Sequence, residues 1–160
     1  MEHHYQSPWF VEALQKEGDL KINQLDSNLN TDICIIGGGF TGLWTALKIK
    51  EKNPTTNIII IEKDLCGSGA SGRNGGCMIP QSTKFQGIRD VVGIYDAKKI
   101  VLSTEEAVKK IKDFCTEHKI NAEIRDDGVL YGATNKFHQG SFEDLIRDLD
   151  EHGINSWKRL

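Results

Sequence analysis

Asp32-Ile33-Cys34-Ile35-Ile36-Gly37-Gly38-Gly39-Phe40-Thr41-Gly42-Leu43, followed one helix later by Asn57-Ile58-Ile59-Ile60-Ile61-Glu62, decides the fold. After Asp32, Ile33–Ile36 form a continuous, largely β-branched apolar run, the pattern of a strand buried on both faces. Three glycines break it. Leu43, Ala46, Leu47 and Lys50 then recur at helical spacing among good helix formers, and Asn53-Pro54 stops the helix. Residues 57–62 repeat the strand pattern. Strand, helix and strand with short joints predict a parallel pair joined by a right-handed crossover, hence an α/β fold.

The joint carries the spacing Gly37-x-Gly39-x-x-Gly42. Each glycine has a physical task in a dinucleotide-binding βαβ unit. Gly37 allows the tight turn, Gly39 admits a pyrophosphate where a Cβ would stand, and Gly42 lets the helix close on the sheet. A pyrophosphate there meets the free N–H groups of a helix N-terminus. The second strand ends in Glu62, twenty residues past Gly42. Its carboxylate suits a ribose 2′-hydroxyl and repels a 2′-phosphate, which argues against NADP. Spacing alone leaves NAD and FAD open.

After the second strand runs a glycine-dense loop, Cys66-Gly67-Ser68-Gly69-Ala70-Ser71-Gly72-Arg73-Asn74-Gly75-Gly76-Cys77. It leaves the same sheet edge as the phosphate site. Its glycines free backbone N–H groups, Arg73 adds a fixed charge, and Asn74 adds a donor and an acceptor. Such a loop fits a long ligand with several polar sections. A linker would share the composition, though not the Arg-Asn pair set between glycines.

Residues 32–43 and 69–76 together resemble the FAD-dependent D-amino-acid oxidase superfamily. Within it, the branch is similar to the gamma-glutamylputrescine oxidases and aminophosphonate oxidoreductases. Trp44-Thr45-Ala46 and Asp64-Leu65-Cys66-Gly67 add to the likeness, which is dense over residues 31–80. Trp9-Phe10 and Gly128–Ala133 resemble it less specifically. The resemblance implies FAD, with its pyrophosphate at Gly37, Gly38, Gly39, Phe40, Thr41 and Gly42. It places the adenosine ribose on Glu62 with Lys63 beside it, and Ser71, Gly72, Arg73, Asn74, Gly75 and Gly76 along the ribityl chain or ring. It further implies oxidation of a C–N bond of a small amine or amino acid to an imine, with oxygen the usual electron acceptor. Members are more than twice this length. The expectation is therefore a Rossmann-like FAD-binding unit with the start of an α+β substrate domain, an incomplete N-terminal portion that a further C-terminal segment of the same fold would complete. No residue is singled out for catalysis. An NAD-binding dehydrogenase domain and a non-catalytic nucleotide-binding fragment are the alternatives.

Around this centre, residues 1–30 read as a short helix and a connection, 31–80 as the cofactor unit, and 81–160 as helix, β-hairpin, helix. Ser7 can cap a helix beginning at Pro8, with Trp9 and Phe10 docking it, and Asp19–Thr31 reads as a connection. Ile100, Thr104, Ala107, Val108, Ile111, Phe114 and Cys115 make one stripe of a helix over 97–119. Asp127-Gly128 between Ala122–Arg125 and Val129–Tyr131 reads as a hairpin turn. Ser141 can cap a last helix and Gly153 can end it.

Composition excludes several classes. The chain has 160 residues, 38% of them hydrophobic, and a net charge of −3. No apolar run approaches a membrane span, and no basic stripe argues for nucleic acid. Met1–Ser7 lacks the pattern of a signal peptide, so a cytoplasmic location is expected. Cys34, Cys66, Cys77 and Cys115 form no CxxC pair and read as separate thiols. His118 and His152 sit at expected helix ends, and His3-His4 is too short for a metal site. Two parallel strands with open edges are expected to invite self-association.

Overall fold

The computed structural model describes residues 7–18 and 22–160. The readings made on Met1–Gln6, His3-His4 among them, and on Asp19–Lys21 lie outside the described residues. The chain divides into two compact units, Met1–Cys77 and Met78–Leu160.

The first unit opens with α1, Pro8–Glu17. Ser7 caps it by accepting a hydrogen bond from Phe10 N at 3.2 Å, and Pro8 fills the first helical position. Strand β1 spans Ile33–Ile36, helix α2 Phe40–Lys52 and strand β2 Ile58–Ile61. The strands pair in parallel with Ile33 opposite Ile58 and Ile36 opposite Ile61. Asn57 holds the entry to the pair. Its N–H donates to Asp32 Oδ2 at 2.8 Å, and its carbonyl accepts from Ile33 N at 3.2 Å. Where α2 ends, Lys50 Nζ donates to the carbonyls of Pro54 and Thr56, both at 2.9 Å, fixing the return into β2.

Full burial on both faces is found in neither strand, though β2 is half-buried at Ile58, Ile59 and Ile60 and so on both of its faces. Along β1, half-buried and exposed residues alternate, and Ile36 is 89% exposed. Helix α2 packs on both strands, and cover on one face accounts for the alternation.

The second unit is helical. After a 3₁₀ turn at Gln81–Lys84 come α3, Phe85–Val92, and α4, Ile94–Glu117. Gly93 joins them at φ +79°, a conformation that favours glycine. Helix α5 spans Glu143–Glu151. Phe85, Ala97, Val101, Leu145, Leu149 and Ile154 form its core, with Ile88, Phe142 and Trp157 packed around it. Trp157 Nε1 donates to Ser82 Oγ at 3.0 Å, and Arg89 pairs with Asp148 at 2.5 Å.

Three expectations are corrected here. Residues 120–133 form no hairpin, and no strand occurs among the described residues of 78–160. The β part of the expected α+β region is thus missing. A two-stranded ribbon is marginal without a third strand or a helix to pack on. Gly128 does take the left-handed conformation, at φ +78°, but Asp126 turns to Lys112 of α4 and Arg125 pairs with Asp127 at 2.6 Å. Ser141 does not cap α5. Phe142 holds that position, and Ser141 N donates to His138 O in the preceding turn. The α4 stripe keeps Thr104, Val108, Ile111, Phe114 and Cys115 as expected but begins at Ala97 and Val101, leaving Ile100 and Ala107 exposed. Gly153 ends α5 as expected, at φ +69°, with Ile154 N donating to Leu149 O. No described helix is long and apolar enough to cross a membrane.

Candidate functional site

The site is built where β1 hands over to α2. Gly37 N extends the sheet ladder by donating to Ile61 O at 2.8 Å. Gly37 itself turns the chain at φ +105°, where a side chain would be strained. Gly38 is buried, and a Cβ there would lie 2.5 Å from Cys66 Sγ. A Cβ at Gly39 would meet Ser71 Oγ at 2.8 Å. One at Gly42 would overlap Gly37 O and press on Ile35 Cγ2 at 3.2 Å. Gly42 therefore allows the close seating of α2 that its position predicts.

The first intrahelical bond of α2 runs from Leu43 N to Gly39 O at 3.0 Å. The N–H groups of the preceding turn thus face out of the helix end. Ser71 Oγ accepts the one from Phe40, at 2.8 Å. Those of Thr41 and Gly42 lie at the same positive end of the helix dipole, and its first turn holds no acidic side chain. This is a backbone cradle of the kind an anionic diphosphate requires.

Glu62 stands beside the cradle. Oε2 accepts from Gly38 N at 2.8 Å and Oε1 from Asp64 N at 3.2 Å. The Gly38 hydrogen bond, then that from Asp64, holds its carboxyl below the usual value of 4.5. Glu62 is thus ionised at neutral pH. A carboxylate accepts about four hydrogen bonds in all, so acceptor capacity remains for hydroxyl groups.

The structure joins the start of the glycine-dense loop to the cradle and leaves its end separate. Gly67 N donates to Gly38 O at 3.0 Å, and Ser71 caps α2. Gly72 closes a 3₁₀ turn, Ala70–Gly72, where a Cβ would strike Gly67 O. Beyond it, Arg73 Nε donates to Ser68 O at 2.9 Å. Asn74 gives Nδ2 to Ser71 O at 2.8 Å and takes Gly76 N on Oδ1 at 2.8 Å. Both side chains therefore brace the loop itself, and Arg73 to Gly76 are exposed. Lys63 is exposed next to Glu62.

Sequence reasoning passed over Cys66, Gly67 and Asp64 as parts of the site. The available signal was their place: they fall within five residues of Glu62, where the chain must leave the sheet edge beside the first glycine turn. All four cysteines are free thiols.

Comparison with known proteins bears on this geometry. The family described as FAD dependent oxidoreductase (DAO) matches residues 32–160. Gamma-glutamylputrescine oxidoreductase of Escherichia coli (strain K12) is 28% identical over 130 residues, 81% of this chain and 30% of that protein. The probable oxidoreductase OrdL of Rhizobium meliloti is 32% identical over 122 residues, 76% of this chain and 26% of its own length. The mitochondrial L-2-hydroxyglutarate dehydrogenase of Dictyostelium discoideum is 32% identical over 130 residues, 81% and 26% of the two chains. The chain thus spans under a third of the length of these relatives. No solved structure gives a significant match.

Proposed function

Because the chain belongs to the DAO family of FAD-dependent oxidoreductases, we propose that residues 37–42, Glu62 and Ser71 hold the adenosine diphosphate part of FAD. The observation that carries this reading is the Gly38 N to Glu62 hydrogen bond of 2.8 Å. It puts an ionised acceptor beside the glycine turn, as a ribose next to a pyrophosphate requires. The Thr41 and Gly42 N–H groups take diphosphate oxygens, and Glu62 takes ribose hydroxyls. Gly72, Arg73, Asn74, Gly75 and Gly76 are proposed along the ribityl chain or ring and Lys63 beside the ribose; in the ligand-free chain the Arg73 and Asn74 side chains hydrogen-bond within the loop.

The activity proposed for the whole protein is two-electron oxidation of a C–N bond in a small amine or amino acid, the chemistry that FAD supplies when bound. The substrate carbon loses a hydride equivalent and nitrogen a proton, and the imine is then hydrolysed. The name of the Escherichia coli relative supports an amine. The name of the Dictyostelium relative supports a second reading, oxidation of a 2-hydroxy acid.

The test is an absorbance spectrum of the purified chain after incubation with FAD and desalting. A retained flavin band that Glu62→Ala diminishes is the expected result. Binding of NADH in preference to FAD, or a flavin band that Glu62→Ala leaves unchanged, would overturn the assignment of the cradle. The flavin-loaded whole protein, offered amines and 2-hydroxy acids in turn, separates the two substrate readings.

A further inference from the structure

Helix α1 has no buried residue, and Trp9 is 59% exposed, so burial of an apolar face does not explain its place. Its N-cap Ser7 and its Phe10 act on one short segment instead. Ser7 Oγ donates to Gly72 O while accepting from Phe10 N. The Phe10 ring lies over Gly67 and Gly72. A Cβ built at Gly72 would meet Phe10 Cδ2 at 3.1 Å, and one at Gly67 would meet Cε2 at 3.7 Å. Phe10 is half-buried between exposed Trp9 and Val11.

The same segment also touches the glycine cradle through Cys66 Sγ at Gly38, the Gly67 N to Gly38 O bond and Ser71 Oγ at Phe40 N. Residues 66–72 are therefore held both by Ser7 and Phe10 and by Gly38–Phe40. The segment has a single 3₁₀ turn of its own, Ala70–Gly72, so its position depends on what grips it from each side.

We infer that α1 is a clasp holding residues 66–72 against the glycine cradle, with Phe10 a positioning residue for the cofactor site. This rests on the FAD reading above. Glycine at 67 and 72 admits the ring, and the ring in turn keeps Ser71 and Gly67 in register with α2. Truncating Phe10 frees the segment without altering any group that touches the ligand.

Hydrogen exchange of the ligand-free chain tests the clasp, and fluorescence titration with FAD tests its purpose. In Phe10→Ala, amides of 66–72 and Phe40 should exchange roughly tenfold faster, with β1 and β2 unchanged. FAD affinity should fall by a similar factor. Phe10→Leu should restore both, and Ser7→Ala should show a weaker form of the same pattern. Unchanged exchange at 66–72, or faster exchange across β1 and β2 alike, overturns the clasp. A loosened segment with unchanged FAD affinity overturns the positioning role. If the wild-type chain binds NADH in preference to FAD, the cofactor reading fails and Phe10 loses that role with it, even where exchange still shows α1 docked.

Discussion

The two units of the chain divide legibility and burial between them. In Met1–Cys77 the recognisable pattern is written in glycine, and Gly38 is the only buried residue among those described. In Met78–Leu160 lie all the buried hydrophobic side chains among the described residues, Phe85, Ala97, Val101, Leu145, Ile146, Leu149 and Ile154, yet no motif there points to chemistry. A binding site for a backbone-hungry ligand is specified by where Cβ atoms are absent. A core is specified by where large side chains meet. Substitution should therefore be most damaging in the first unit where it adds an atom, and in the second where it removes several.

Gly42→Ala gives the largest effect. Alanine is the better helix former by about 1 kcal/mol. Its Cβ, however, falls on Gly37 O, a backbone atom that cannot turn aside. Loss of upwards of about 4 kcal/mol is expected, with FAD retention abolished. A soluble variant with unchanged exchange in β1 and α2 would break the comparison from the first side. Leu149→Ala follows. Leu149 is fully buried in the α5 face of the core, and its truncation should cost about 3 kcal/mol, read by exchange across 85–154. A cost below about 1 kcal/mol would mean that the second unit's core is not the tight packing that burial implies.

The same division explains what the sequence disclosed. The β1–α2–β2 order, the turn at Gly37 and the placing of Glu62 were legible because each is fixed by neighbours within a few residues. The hairpin at 122–131 was misread because a turn signal is local, whereas the partner a ribbon needs is not. Helix α3 went unseen: eight residues containing Gly87 and the pair Val91-Val92 carry too weak a period. On α4 the expected stripe holds at Thr104, Val108, Ile111, Phe114 and Cys115, but Ile100 and Ala107 are exposed, because Phe85 and Leu149 choose Ala97 and Val101 at its start. Trp9 and Phe10 were given one docking task. Only Phe10 has it, since the Gly72 it meets is sixty-two residues away in sequence.

Glu62→Gln sharpens the comparison within the first unit. The substitution keeps the shape and removes the charge that accepts from Gly38 and Asp64. FAD affinity should fall about tenfold, in line with the 1–3 kcal/mol of a charged hydrogen bond. The carboxyl's value in the folded chain is lowered, so its contribution is complete above 4.5 and is lost as pH falls through the lowered value. Melting of wild type and variant should differ by a constant amount near neutrality and converge in acid. Equal melting of the two at neutral pH would show that the charge on the Gly38 acceptor adds nothing to the fold.

Ser71→Ala is the smallest effect and the most discriminating. Ser71 reaches α2 from thirty-one residues away and caps Phe40 N in place of a local side chain, since Gly39 at the cap position has none. Loss of a helix cap costs about 1 kcal/mol. The hydroxyl also fills the space in front of Gly39, where a Cβ would meet it at 2.8 Å. Removing it therefore opens room that a Gly39→Ala side chain can use, and the double variant should be no less stable than Ser71→Ala alone. Calorimetry of the four chains gives the coupling directly. Additive costs would place Gly39 among glycines kept for a ligand's approach alone. A favourable coupling would show that the cradle and the loop were shaped to each other before any ligand arrives.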